Sequence, residues 1–232
     1  MVVGGMQKNS MIDYPGKISC VIFLSGCNFD CPYCHNPDLV QGCTECPANL
    51  TEANIWQFLE SHRNFLDGVV ISGGEPTLQP DLADLCKKIK QIGYPIKLDT
   101  NGSRPEVLEQ LLENGLIDYV AMDVKTDPGH YAPIIQKKSH PNHIVSSIRL
   151  IMESGLPYEF KTTCIKPLVD TGMIESIARL IKGARLWALQ ECRETQVLHP
   201  EFFQSHDCRL GEGELLQFQA IGANYVEKCI VR

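Results

Sequence analysis

The sequence contains no apolar run approaching the roughly 20 residues that cross a bilayer. Its opening residues, which include Gly4, Gly5, Gln7, Lys8 and Asn9, lack the continuous apolar core of an export signal. No membrane association is expected, and a cytoplasmic location is. Basic charge is also scarce. Lys and Arg number 21 against 28 Asp and Glu, a formal charge of -7, and no long basic or aromatic-rich basic stripe is present. Direct nucleic-acid binding through a phosphate-tracking surface is therefore not expected. Internal repeats, low-complexity tracts and linkers are lacking too, so the 232 residues read as one domain with room for a substantial core. Cysteine, by contrast, is plentiful. Eleven cysteines suit a disulfide scaffold only in a small secreted chain; here the number is odd and no export signal precedes them. Metal binding and buried thiols explain them better.

Short β-branched runs at 18–24, 69–72, 95–99, 119–123, 158–163 and 186–189 alternate with helical patterns. Leu82, Leu85, Ile89 and Ile92 recur at helical spacing and stop at Gly93; Val107, Leu108, Leu111 and Leu112 stop at Gly115. Ser103 with Glu106 predicts a capping box for the second of these. Ile144, Val145, Ile148, Ile151 and Met152 end at Gly155, and a stripe from Met173 to Ile181 follows a cap at Asp170 or Thr171. Six strand-helix units imply a parallel sheet with right-handed crossovers, too few for a closed eight-stranded barrel. The expected fold is α/β, an open partial (β/α)6 barrel spanning 1–232. A lead-in covers 1–17, a cysteine-containing loop 38–50 and a C-terminal extension 191–232.

Directly after the first predicted strand stand Cys27, Cys31 and Cys34, separated by three and two residues. Three thiolates at this spacing can wrap one corner of a cubane cluster, which normally takes four cysteines, and so leave one iron open. A zinc site or a fully ligated electron-transfer cluster is the alternative. The other polar signals fall at the C-terminal ends of predicted strands, the rim where barrel enzymes place their sites. They are Ser72-Gly73-Gly74-Glu75-Pro76-Thr77, Asp99-Thr100-Asn101-Gly102, Asp123-Val124-Lys125 and Lys161-Thr162-Thr163. A glycine pair permits close backbone approach to a ligand, and the following carboxylate can accept from an ammonium group. Taken singly, Gly73 and Gly74 also fit a plain turn, and Asp99 and Asp123 fit helix caps or solvated carboxylates.

Taken together, Cys27-Asn-Phe-Asp-Cys31-Pro-Tyr-Cys34 and Gly73-Gly74-Glu75-Pro76 resemble the radical SAM superfamily. The resemblance implies a 4Fe-4S cluster on the three cysteines, with S-adenosylmethionine bound by its amino and carboxylate groups at the open iron. It puts Tyr33 against the adenine and the Gly73–Pro76 segment against the methionine amino group. A narrower resemblance rests on Gln7, Ser10, Asp13, Pro15 and Gly16, then Cys34-His35-Asn36-Pro37, Asp99-Thr100-Asn101-Gly102 and Asp123-Val124-Lys125. These are similar to glycyl-radical-enzyme activases, most of all those acting on anaerobic ribonucleoside-triphosphate reductase, with pyruvate formate-lyase activases as close relatives.

That resemblance implies an enzyme that reductively cleaves S-adenosylmethionine and makes a glycyl radical on a partner enzyme, with a flavodoxin or ferredoxin as electron donor. It adds His35, Asn101, Val124, Lys125 and Lys161 to the cofactor pocket, and it implies a monovalent cation on Asp99, Thr100 and Asp123. Two carboxylates beside a sulfonium and a cation make electrostatic sense. Gln190 and His199 are the candidates for a pocket histidine near the last strand. A radical SAM enzyme for a small molecule or tRNA base, similar to 7-carboxy-7-deazaguanine synthase, is the rival reading. Cys43 and Cys46 form a second Cys-x-x-Cys pair and could join Cys192 and Cys208 around zinc or an auxiliary cluster, the alternative being a loop turn with incidental thiols. Cys20, Cys86, Cys164 and Cys229 read as buried small hydrophobes. His62, His130, His140, His143, His199 and His206 read as surface residues.

Overall fold

A computed structural model describes residues 2–42, 50–131, 134, 140–193 and 196–232. The six expected strands are present as β2 (Ser19–Leu24), β3 (Gly68–Gly73), β4 (Ile96–Thr100), β5 (Tyr119–Asp123), β6 (Tyr158–Cys164) and β7 (Trp187–Glu191). They pair in chain order, each parallel to the next. Two further strands extend this row. The lead-in holds one of them: β1 (Val3–Ser10) pairs antiparallel to β2, with register shifts between Val3 and Gly5 and between Gln7 and Ser10. The C-terminal extension closes with β8 (Cys229–Val231), parallel to β7. Among the described residues β1 and β8 do not pair with each other, so the sheet stays an open, partial barrel.

The helices are α1 (Pro37–Val40), α2 (Glu52–Ser61), α3 (Leu82–Ile92), α4 (Pro105–Glu113), α5 (Pro141–Glu153), α6 (Thr171–Leu180), α7 (Pro200–Ser205) and α8 (Glu214–Gly222). The crossover helix α2 buries only Ile55 and Leu59, so its apolar signal is thin; the Thr51 hydroxyl caps it by accepting from the Asn54 N–H. The helix expected after 81 stops where Gly93 takes φ +106°, a backbone region costly for other residues. Asp170 caps α6 by accepting from the Met173 N–H at 2.8 Å. The capping box on Ser103 is corrected. Arg104 stands at the N-cap of α4 without a side-chain cap bond, and Ser103 is buried and bonded to Asn28.

One large apolar cluster fills the layer between sheet and helices, joining Ile22, Ile71, Leu98, Met122 and Phe160 to helix stripes such as Leu85, Ile89, Leu108 and Ile148. Cys20, Cys86, Cys164 and Cys229 are buried in this layer, as expected. A second, small cluster of Tyr14, Val21, Val70, Tyr119 and Ala121 lies on the opposite face of the strands. Because successive side chains alternate between faces, that inner face also receives Lys97 and Asp99 of β4, Asp123 of β5 and Lys161 of β6. The register reinforces this: Lys97 pairs with Tyr119, Asp99 with Ala121, and Asp123 with Lys161. Charge is thus placed inside the barrel by the same period that packs its outside.

Candidate active site

At the C-terminal rim a cavity of about 220 Å³ gathers Cys27, Cys31 and Cys34 with Tyr33, His35, Gly73 and Gly74. Asp99, Thr100, Asn101, Asp123, Lys125 and Lys161 line its other side, together with Phe29, Asn36, Ser72 and Thr163, which sequence reasoning did not single out as ligand contacts. A larger cavity of about 570 Å³ lies away from this rim against α2 and α3, lined by surface lysines, acids and apolar side chains without a comparable convergence.

The three cysteines lie close enough to influence one another electrostatically, and burial pushes the Cys27 thiol up to about 11 and Cys31 to about 12. Such thiols stay protonated near neutrality until a metal takes the proton's place. Among the described residues no three His, Cys, Asp or Glu side chains are placed to ligate a single metal ion. A cubane differs from one ion in presenting separate irons to separate thiolates, so spaced cysteines on a short loop suit it. The Tyr33 hydroxyl is buried and has no hydrogen-bond partner, an orphan in need of one from a ligand. Both features fit a cluster and a polar cofactor in this cavity.

The Gly73-Gly74 pair lines the cavity and also passes close to the chain's own backbone. A Cβ on Gly73, where φ is +123°, would stand 2.2 Å from the Leu24 carbonyl oxygen; on Gly74 it would stand 2.1 Å from that of Gly26. Gly74 N–H donates to Leu24 O at 2.9 Å and Glu75 N–H to Gly26 O at 2.8 Å, tying the end of β3 to the start of the cysteine loop.

The Glu75 carboxylate is engaged within the chain. It is fully buried, Oε1 accepts from Thr77 N and Thr100 Oγ1, and Oε2 accepts from Asn101 N at 2.6 Å. Burial raises its carboxyl above the usual range, opposed by these donors. Pro76 and Val124 are buried and, with Glu75, stand outside the cavity lining. Asn101 Nδ2 donates to Asn28 Oδ1 at 3.0 Å, and Asn28 Nδ2 donates to Ser103 Oγ, so the β4 loop is also tied to the cysteine loop.

Five charged groups meet on this side of the cavity. Lys125 Nζ lies 3.2 Å from Asp123 Oδ2 and 5.9 Å from the Tyr33 ring centre; Lys161 Nζ lies 3.5 Å from Asp123 Oδ1 and 3.9 Å from Asp99 Oδ1. Lys97 also pairs with Asp99 Oδ1. Burial alone would raise the Asp123 carboxyl, but Lys125 and Lys161 outweigh it and hold it at about 2. Asp99 is lowered the same way by Lys161 and Lys97 against burial. Lys161 and Lys125 are raised despite burial, chiefly by Asp123.

The C-terminal extension grips the cysteine loop. Leu198 N–H donates to Cys34 O at 2.9 Å, His199 N–H to Pro32 O at 3.1 Å, and the His199 ring bridges Asp30 Oδ1 at 2.8 Å and Glu201 Oε1 at 2.9 Å. His199 is therefore neither a bare surface residue nor part of the cavity lining, and Gln190 is outside that lining too. The His35 ring bonds Arg193 O at 2.9 Å. Cys192 and Cys208 line a separate cavity of about 220 Å³ with Cys164, Phe203 and Arg209, while Cys43 and Cys46 lie outside the described residues.

Residues 21–181 match the radical SAM superfamily profile. A protein of Methanocaldococcus jannaschii described as a glycyl-radical enzyme activating enzyme is 36% identical over 236 residues, covering all of this chain and 95% of the relative. The pyruvate formate-lyase-activating enzyme of Clostridium pasteurianum is 30% identical over 80% of this chain and 79% of its own. In fold, the chain is similar to Streptococcus suis SuiB bound to S-adenosylmethionine. The TM-score is 0.65 at 14% identity, over 91% of this chain and 51% of the other. No described helix is long and apolar enough to cross a membrane.

Proposed function

Because the chain belongs to the radical SAM superfamily and, within it, to the glycyl-radical enzyme activating enzymes, we propose that it installs a glycyl radical on an anaerobic ribonucleoside-triphosphate reductase. The observation that carries this reading is the single cavity joining three cysteines to Tyr33 and to the charged ends of β4, β5 and β6. When bound, the 4Fe-4S cluster and S-adenosylmethionine supply one-electron cleavage chemistry, which is the cofactors' own.

The chain's share is to hold, orient and screen. Cys27, Cys31 and Cys34 would hold the cluster. Tyr33 would offer its unpartnered hydroxyl and ring to the cofactor, and Lys125 its ammonium, while Gly73 and Gly74 keep the β3 loop seated on the cysteine loop. Phe29 and Tyr131, 5.9 Å apart, back this wall with apolar surface and exclude water from the reacting region. The choice of an activase over a small-molecule enzyme rests on the Asp99-Thr100-Asn101-Gly102 and Asp123-Val124-Lys125 runs and on the Cys34-His35-Asn36-Pro37 continuation, and the reductase is the partner that the overall resemblance favours. A small flavoprotein or ferredoxin would supply the electron.

The test is anaerobic. Reconstituted protein is mixed with dithionite, S-adenosylmethionine and candidate glycyl-radical enzymes, following 5'-deoxyadenosine and the radical's EPR doublet. A doublet on the reductase is the expected result. Cleavage with a doublet on pyruvate formate-lyase alone, or on no candidate, would overturn the assignment of partner. Replacing all three cysteines by alanine should abolish cleavage.

A further inference from the structure

The residues expected to ligate a monovalent cation are Asp99, Thr100 and Asp123, and their surroundings do not suit one. An alkali ion, like other hard cations, requires several oxygens converging on one point. The Thr100 hydroxyl donates to Glu75 Oε1 at 2.7 Å and accepts from the Gly102 N–H at 3.1 Å, which leaves it a single lone pair. Between the two carboxylates stands an ammonium. Lys161 Nζ reaches Asp123 Oδ1 at 3.5 Å and Asp99 Oδ1 at 3.9 Å. Lys97 pairs with the same Asp99 oxygen from the barrel side, and Lys125 takes Asp123 Oδ2 at 3.2 Å. Two carboxylates thus meet three ammonium groups. A further cation among them would face repulsion at short range in a site where Lys97 is 3% exposed and Lys161 16%.

We propose that Lys161, backed by Lys97, takes the place of the monovalent cation, so that cofactor binding in this protein does not depend on alkali ions. The inference rests on the radical SAM reading and concerns how the same cavity is charged. Its origin in sequence is simple. Lys97 and Asp99 are two apart on β4 and so share a face, and the β5–β6 register sets Lys161 directly beside Asp123. A side-chain ammonium fixed by strand register requires no ion to be recruited before the cofactor binds.

The test reads binding, not turnover. Cluster-loaded, reduced protein is titrated with S-adenosylmethionine, and the change in the cluster's EPR spectrum gives Kd. Potassium, sodium or tetramethylammonium serves as the sole cation at equal ionic strength. The wild type should give the same Kd within about twofold in all three salts. Lys161→Met should bind about tenfold or more weakly in tetramethylammonium and recover part of that loss in potassium, since two facing carboxylates then lack their shared counter-charge. Lys161→Arg should stay close to wild type, and thermal melts of the cofactor-free variants report folding independently of binding. A wild type that binds about tenfold more weakly without alkali ions would overturn the proposal, as would a folded Lys161→Met that binds normally in tetramethylammonium. No spectral change in any salt would bring down the underlying cofactor reading, and this inference with it.

Discussion

Replacing Gly74 by alanine tests whether the glycine pair serves the cysteine loop. The added Cβ would lie 2.1 Å from Gly26 O and 2.6 Å from Gly26 C, against backbone that has no rotamer to escape into. Restoring an ordinary contact requires the β3 loop and the Gly26–Cys27 peptide to part by about 1.5 Å. That motion stretches the Glu75-to-Gly26 bond from 2.8 Å and the neighbouring Gly74-to-Leu24 bond from 2.9 Å beyond useful length. Two backbone hydrogen bonds at about 1 kcal/mol each, plus overpacking at about 1–3 kcal/mol, give a loss of about 3–5 kcal/mol. Against the about 5–15 kcal/mol typical of a folded domain, the expected outcome is a weakened but folded protein in which Cys27 is displaced. Gly93→Ala is the control. At φ +106° with nothing within 4 Å, it should cost about 1–2 kcal/mol of backbone strain and leave the cavity untouched. Chemical denaturation reads stability; iron per protein and visible absorbance after anaerobic reconstitution read the cluster. Both variants should be destabilised and only Gly74→Ala should load poorly. A Gly74→Ala protein with full iron and wild-type absorbance would refute the reasoning.

Tyr33→Phe removes a buried hydroxyl without a partner, so melting of the cofactor-free protein should be unchanged or raised by up to about 1 kcal/mol, while S-adenosylmethionine binding weakens; a clear destabilisation would show a partner within the protein. Glu75→Gln sets an amide against the Asn101 N–H or the Thr77 N–H, and should cost about 2–4 kcal/mol by denaturation; an unchanged midpoint would contradict a structural role for Glu75. Asp123, held at about 2, adds stability that is present above the usual carboxylate range and fades as pH falls toward 2. The stability gap between wild type and Asp123→Asn should therefore be full above about pH 5 and narrow progressively toward about pH 2, and a gap constant across that window in denaturation midpoints would refute the pairing. His199→Ala should cost only about 1 kcal/mol, since its ion pairs are partly exposed, yet speed proteolysis around residues 198–206; unaltered cleavage there would mean the backbone bonds alone hold the segment.

Strands buried on both faces, such as Cys20–Val21–Ile22 of β2, were legible because parallel sheets demand continuous apolar runs, and helices because their stripes end at glycines. β1 was not, since an edge strand reading VGGMQKNS is half exposed and lacks alternation. β8, three residues long, carries too little pattern to notice. The rim rule found most of the cavity lining from four separate runs. It did not foresee the donors that Glu75 meets within the chain, because they lie 25 and 26 residues away. It also missed the bond between His199 and Asp30, 169 residues apart, which no spacing encodes.

An unclosed sheet has two free margins, and a long, straight one would invite pairing with another copy's backbone. Here each margin is a poor template. β1 loses register twice within eight residues and carries Lys8, while β8 offers only three residues. The barrel can therefore remain open beside its reacting centre without exposing a row of amides and carbonyls on which fibrous assemblies could grow.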